Sequence, residues 1–180
     1  MWQTLHDAPW IKALPNSSSL ETVALALNAN MWTTLGELTG KPSIVFKSEQ
    51  VRRMRLAALC ARCRFLIALT GSRVPPLIPP QTPLIYDPMS VILFGYGSCT
   101  GISITYADAL RTLGIPARLV GTPAWHGRQA DGNHNWVEVW LGPQRGWCFI
   151  EGAPAGGGET FANACDKVRM RAVWAWKPSM

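Results

Sequence analysis

Two patterns in this sequence predict an α+β fold, with helices first and a small antiparallel β-sheet after them. One is a stretch of helical spacing that starts at Ser98 and ends at Gly114; the other is a pair of alternating apolar runs joined by the turn GPQRG. The 180 residues are 48% hydrophobic and only 16% charged, with nine Trp, which supplies one real core and excludes a disordered chain.

Residues 1–46 read as short helices and turns punctuated by Pro and Ser. Within them, SSSLETVALALNANMWTTLGEL carries one helix, its start marked by Ser18 or Ser19 ahead of Glu21 in a loose capping pattern. Residues 48–70 give the longest helical candidate, stopped by Gly71. The passage VPPLIPPQTPLIYDP holds six of the fourteen prolines and is expected to be a surface loop, since Pro breaks both helix and central strand. From Ser98, a fit N-cap, apolar positions recur at Ile102, Tyr106, Ala109, Leu110 and Leu113; Gly114 then ends the helix and Pro116 forbids continuation. ARLVG follows as a short strand. NHNWVEVWL alternates Asn135, Val137, Val139 and Leu141 on one face with His134, Trp136, Glu138 and Trp140 on the other. With GWCFIEG it reads as an antiparallel hairpin.

The net charge is +6, and the basic residues cluster. Lys47, Arg52, Arg53, Arg55, Arg62, Arg64 and Arg73 form one group; Lys167, Arg169, Arg171 and Lys177 form another. No nucleic-acid motif accompanies them, so they read as solvated helix faces and nucleic acid is not an expected partner. No run reaches the length of a membrane span, and MWQTLHDAPW lacks the charged and apolar regions of a secretory signal. The expectation is a soluble, cytoplasmic chain with no membrane partner. The five cysteines are Cys60, Cys63, Cys99, Cys148 and Cys165, an odd number that argues against a disulfide framework. Cys60 and Cys63 lie within a helical pattern and have no second CxxC, so they read as buried thiols and not as zinc ligands.

Cys99, by contrast, lies directly after a helix N-cap. The exposed N–H groups and dipole of a first turn depress a thiol's pKa, and Gly95, Gly97 and Gly101 keep the surroundings open. A nucleophilic thiolate also needs a base within reach and a third group to orient that base. Of the three histidines, His6, His126 and His134, the last opens a strand that would fix its position, whereas His126 lies in a polar loop with no such support. Glu151, at the end of the neighbouring strand, is the candidate orienter. Glu138 reads as structural, and Asp131 as a poor substitute because it lies in a loop.

The runs GYGSCTGISITYADALRTLGIPARLVG, GNHNWVEVW and GWCFIEGAP together resemble the transglutaminase-like (papain-related) domain family. The resemblance covers roughly residues 90–154, with a fainter echo in the tail. It implies a papain-like fold in which the nucleophile helix packs on the small sheet. It further implies Cys99 as nucleophile, His134 as general base and Glu151 as the third member. The sequence departs from the family at that third position, where Asp followed by Pro is usual and Glu151-Gly-Ala-Pro stands here.

The implied reaction is acyl transfer through a Cys thioester on a peptide or protein amide, most simply hydrolysis. Backbone N–H groups around Ser98 and Thr100 would hold the oxyanion, with Gln81 as a side-chain donor. Trp125, Trp136, Trp140 and Trp147 read as core residues, Trp125 and Trp136 being the two set to line a substrate groove. No cofactor or metal is called for. The alternative is a catalytically silent module that binds protein or peptide in the same groove. The expected organisation is one domain over 1–180: a helical part and Pro-rich loop (1–90), a catalytic-type core (91–154) and a C-terminal segment (155–180). AVWAWKP reads as a last strand that a longer chain would continue.

Overall fold

The computed structural model describes residues 2–47, 86–125 and 133–156. Two short helices, α1 (Trp2–Asp7) and α2 (Pro9–Lys12), lead into α3 (Leu20–Glu37). Ser19 caps α3, its Oγ accepting the Thr22 N–H at 3.1 Å. The buried positions of α3 include Ala24, Leu27, Asn28, Met31, Trp32 and Leu35, a single stripe at helical spacing. A short strand β1 (Val45–Phe46) follows.

Helix α4 (Pro88–Phe94) begins inside the passage expected to be a loop. The reason is local: Pro at the first helical position gives up only an N–H that has no partner there, and the Asp87 carboxylate accepts the Ser90 N–H at 2.8 Å. Gly95 ends α4 in the left-handed region at φ 72°, and its carbonyl accepts the Val45 N–H at 3.0 Å. The next two residues, β2 (Tyr96–Gly97), pair in parallel with β1. This two-stranded pairing fixes the turn that delivers Cys99. Nothing in the sequence pattern announced it.

Helix α5 (Cys99–Thr112) is the centre of the molecule. Its buried positions, Gly101, Ile102, Ser103, Thr105, Tyr106, Ala107, Ala109 and Leu110, surround the axis because α5 has α3 and α4 against it as well as the sheet. The sheet runs β3 (Ala117–Thr122), β4 (His134–Trp140), β5 (Trp147–Ile150), antiparallel throughout, and ends in a one-turn helix α6 (Ala153–Gly156). Thr122 opposes His134 and Ala117 opposes Val139; Val137 opposes Ile150. Val137 and Val139 join the main core with Ile102, Tyr106 and Leu110, while Trp136 and Phe149 form a second cluster with Val120 and Trp125 packed on it. The expected α+β architecture, with the helix after Ser98 packed on a small antiparallel sheet, is the one found.

Several expectations lie outside the described residues. These are the helix over 48–70 with Cys60, Cys63 and its arginines, the prolines up to Pro83 with Gln81, the loop holding His126 and Asp131, and the tail with Cys165 and the second basic cluster. One expectation is corrected: Cys148 is disulfide-bonded. An odd cysteine count guarantees one leftover thiol and does not forbid a bridge. Cys99 is the free cysteine among the described residues.

Candidate active site

Cys99 opens α5, His134 opens β4 and Glu151 directly follows β5. Three elements distant in sequence thus bring their termini together at one end of the sheet. The His134 Nε2–H donates to Glu151 Oε1 at 2.6 Å, and both side chains are close to nine-tenths buried, with 13% and 10% exposure. Since Nε2 is engaged, Nδ1 is the ring nitrogen left for Cys99.

The electrostatics of the pair run in opposite directions. Burial by itself pushes the Cys99 thiol up, but its hydrogen bonds to His134 and Asn135 and the imidazole's charge outweigh that and lower its pKa from the ordinary 9.0. Burial pushes His134 down. The thiol beside it and the Glu151 carboxylate outweigh this and raise it from 6.5 to about 9. A thiol brought down and an imidazole brought up describe a thiolate–imidazolium pair, whose titration belongs to the pair as a whole.

Asn135 is a site residue that the sequence reading did not single out. Its Nδ2 donates to Thr100 Oγ1 at 2.7 Å and lies 3.9 Å from Cys99 Sγ. Its main-chain carbonyl accepts the Ser103 hydroxyl at 3.1 Å, which ties β4 to the second turn of α5. The signal was the register: Asn135 lies on the strand face shared with Val137 and Val139, which is the face that meets α5. Ser98 does occupy the N-cap position of α5, but its side chain makes no capping hydrogen bond. The hydroxyl engaged at this helix start is that of Thr100.

Trp125 and Trp136 wall the imidazole. The Trp125 ring centroid lies 3.9 Å from that of His134, and Trp136 is stacked at 6.3 Å with an interplanar angle of 26°. Trp136 is buried and Trp125 half-buried. Glu138 is engaged elsewhere, paired with Arg118 at 2.6 Å, and that guanidinium stacks on Trp147 at 4.3 Å. The His6 Nε2–H donates to the Thr112 carbonyl at 3.2 Å, at the far end of α5. Among the described residues no group of three or more His, Cys, Asp or Glu side chains forms a metal cluster. No helix among them is long and apolar enough to cross a membrane.

Comparison with known proteins gives a family match over residues 70–151, described as the Transglutaminase-like superfamily. Similar solved structures include two crystal structures. One is a crystal structure of a TGase, 18% identical with a TM-score of 0.48, in which 87% of this chain covers 31% of that one. The other is the periplasmic domain of TgpA from Pseudomonas aeruginosa bound to ethylmercury, 19% identical with a TM-score of 0.33, in which 82% of this chain covers 49% of that one. The chain therefore spans about a third to a half of the length of these structures. A search of curated proteins returned no match. The matched span includes the start of α5, the start of β4 and the end of β5, where Cys99, His134 and Glu151 meet, and this chain contains a transglutaminase-like domain.

Proposed function

We propose that the chain is a cysteine acyl-transfer enzyme acting on a peptide or protein amide, most simply as a hydrolase. The observation that carries this reading is the continuous contact from the Cys99 thiol through the His134 ring to the Glu151 carboxylate, with the thiol lowered and the imidazole raised. In this reading the Cys99 thiolate attacks the amide carbonyl carbon and forms a C–S bond, and the carbonyl π electrons move onto oxygen. Backbone N–H groups at the α5 start face that oxyanion. The tetrahedral intermediate collapses with cleavage of the C–N bond, and the proton on His134 goes to the departing amine. Water, losing its proton to His134, then attacks the thioester carbonyl; the C–S bond breaks and the acid product leaves. An acceptor amine in place of water turns hydrolysis into transfer.

Glu151 orients the ring and stabilises its charged form through Nε2, leaving Nδ1 to exchange the proton. The longer arm of Glu fits because its carboxylate closes on Nε2 from the strand end. Trp125 and Trp136 pack against each other and beside the ring, shield it from water and form one wall of the substrate groove. The disulfide at Cys148 favours an oxidising compartment over the cytoplasm for this chain.

The test is alkylation of Cys99 by iodoacetamide as a function of pH, read by mass spectrometry, in wild type and His134→Ala. Cys99 is expected to react below pH 8. In the variant the lowering by the His134 hydrogen bond and charge is gone, so the midpoint moves up from its wild-type position. A wild-type Cys99 that titrates as an ordinary thiol would overturn the enzyme reading in favour of the silent binding module. With activation established, a casein substrate supplied with a labelled amine separates the two routes, both absent in Cys99→Ala: new carboxylates or amino termini report hydrolysis, and covalent incorporation of the amine reports transfer.

A further inference from the structure

The N-terminal helix α3 contributes a buried amide whose nitrogen and oxygen both engage the segment carrying the acid. Asn28 is 9% exposed. Its Nδ2 donates to the Glu151 carbonyl at 2.9 Å; its Oδ1 accepts the Ala153 N–H at 2.7 Å and the Trp32 indole N–H at 3.3 Å. The two donors converging on Oδ1 fix which end of the amide is oxygen, because a flipped side chain would face donor with donor at both. Asn28 therefore holds the main chain on both sides of Gly152. The third contact is steric: a Cβ at Gly152 would lie 2.6 Å from Ile102 Cγ2 and 3.0 Å from the Trp32 ring. The segment after β5 is pressed between α3 and α5 with no room for a side chain.

The same ridge of α3 also holds the nucleophile helix. One turn before Asn28, the Ala24 carbonyl accepts the Tyr106 hydroxyl at 2.8 Å, and Tyr106 is wholly buried in the middle of α5. One turn after Asn28, the Trp32 ring lies 6.3 Å from the Tyr106 ring. Residues 24, 28 and 32 thus form one line along α3 that touches α5 and the Glu151–Ala153 segment together. On the acyl-transfer reading proposed above, we infer that Asn28 is a positioning residue for Glu151: through it α3 fixes where the carboxylate stands relative to His134 and to the Cys99 helix. Asn28 touches no reacting atom and acts only through Glu151.

The experiment is an NMR titration of the His134 ring in the full chain, comparing wild type, Asn28→Ala, Asn28→Asp and Glu151→Gln. The charged groups facing this ring among the described residues are the Cys99 thiol and the Glu151 carboxylate; Trp125 and Trp136 are neutral. Asn28→Ala is expected to lower the proton affinity of His134 about tenfold, in the direction of Glu151→Gln, and to add little when combined with it. Asn28→Asp keeps both acceptor contacts and loses the donor to the Glu151 carbonyl, so it provides a second, isosteric variant should the alanine protein fail to fold. Leu27→Ala, a fully buried neighbour on the same helix, is expected to lower the melting temperature and leave the titration where it was. A His134 titration unchanged in the folded Asn28 variants, or moved as far by Leu27→Ala, overturns the positioning role. Failure of the acyl-transfer reading shows elsewhere, in the alkylation of wild-type Cys99, and does not alter this readout.

Discussion

At the scale of single residues, the proposed chemistry rests on how three side chains share one proton. Glu151→Gln keeps the shape of the third group and removes its charge, so two of the influences raising His134 weaken together. His134 is expected to fall from about 9, the thiol to rise with it, and iodoacetamide labelling of Cys99 at pH 7 to slow about tenfold, measured as a second-order rate constant. Cys99, His134 and Glu151 were legible because each occupies a position with a physical meaning in the chain: a helix start, a strand start, a strand end. Asn135 and Asn28 were not. The alternation placed Asn135 on a strand face without giving it a role, Asn28 had no such marker, and what makes these two matter is the pair of surfaces that meet at them. The disulfide at Cys148 was hidden for a related reason, since cysteine arithmetic counts thiols and cannot see which ones approach each other.

At the scale of elements, the turns and the central helix were readable and the small pieces around them were not. Ser98, Pro116 and the apolar spacing between them mark α5 well, and the alternation in NHNWVEVWL marks β4. The β1–β2 pair spans only two residues per strand, too few for any period, and it forms because the ends of α3 and α4 are brought together. Lys41 does part of this, its Nζ donating to the Leu93 carbonyl at 2.7 Å at the end of α4, and Thr39 adds a hydroxyl to the Ile92 carbonyl at 3.0 Å. Helix α5 is held to α3 by the Tyr106 hydroxyl. Tyr106→Phe removes that bond while the Ala24 carbonyl keeps its place in the helix, so a loss of about 1 kcal/mol is expected in urea unfolding, with the slope unchanged. Gly152→Ala is expected to cost more, about 1–3 kcal/mol, because Ile102 and Trp32 must move aside.

At the scale of the whole molecule, the thiol and the imidazole make opposing contributions to stability. The raised pKa of His134 stabilises the folded chain fully below pH 6.5, and this is lost as pH rises through about 9. The lowered pKa of Cys99 contributes above 9.0 and is lost as pH falls through its folded value. Between these limits the proton that leaves sulfur rests on nitrogen, so the pair's proton count in the folded chain matches that in the unfolded chain and its contribution is nearly flat. Cys99→Ala removes one side of the balance. Relative to wild type, its unfolding free energy is expected to decline as pH rises above 6.5, until the His134 of the variant has lost its proton; denaturant midpoints at pH 6, 7.5 and 9 would show it.

The contact between Asn28 and Glu151 also spans 123 positions along the chain, and this separation imposes an order in time. A polypeptide made from its N-terminus presents α3 early, then Cys99, then His134, and Glu151 last. Closure of so long a loop must precede any reward from the contact, so arming the thiol belongs among the late events of folding. On the acyl-transfer reading proposed above, the nascent chain would carry Cys99 as an ordinary thiol while its own peptide bonds are still exposed around it. Reactivity would follow only once those bonds have been folded out of reach.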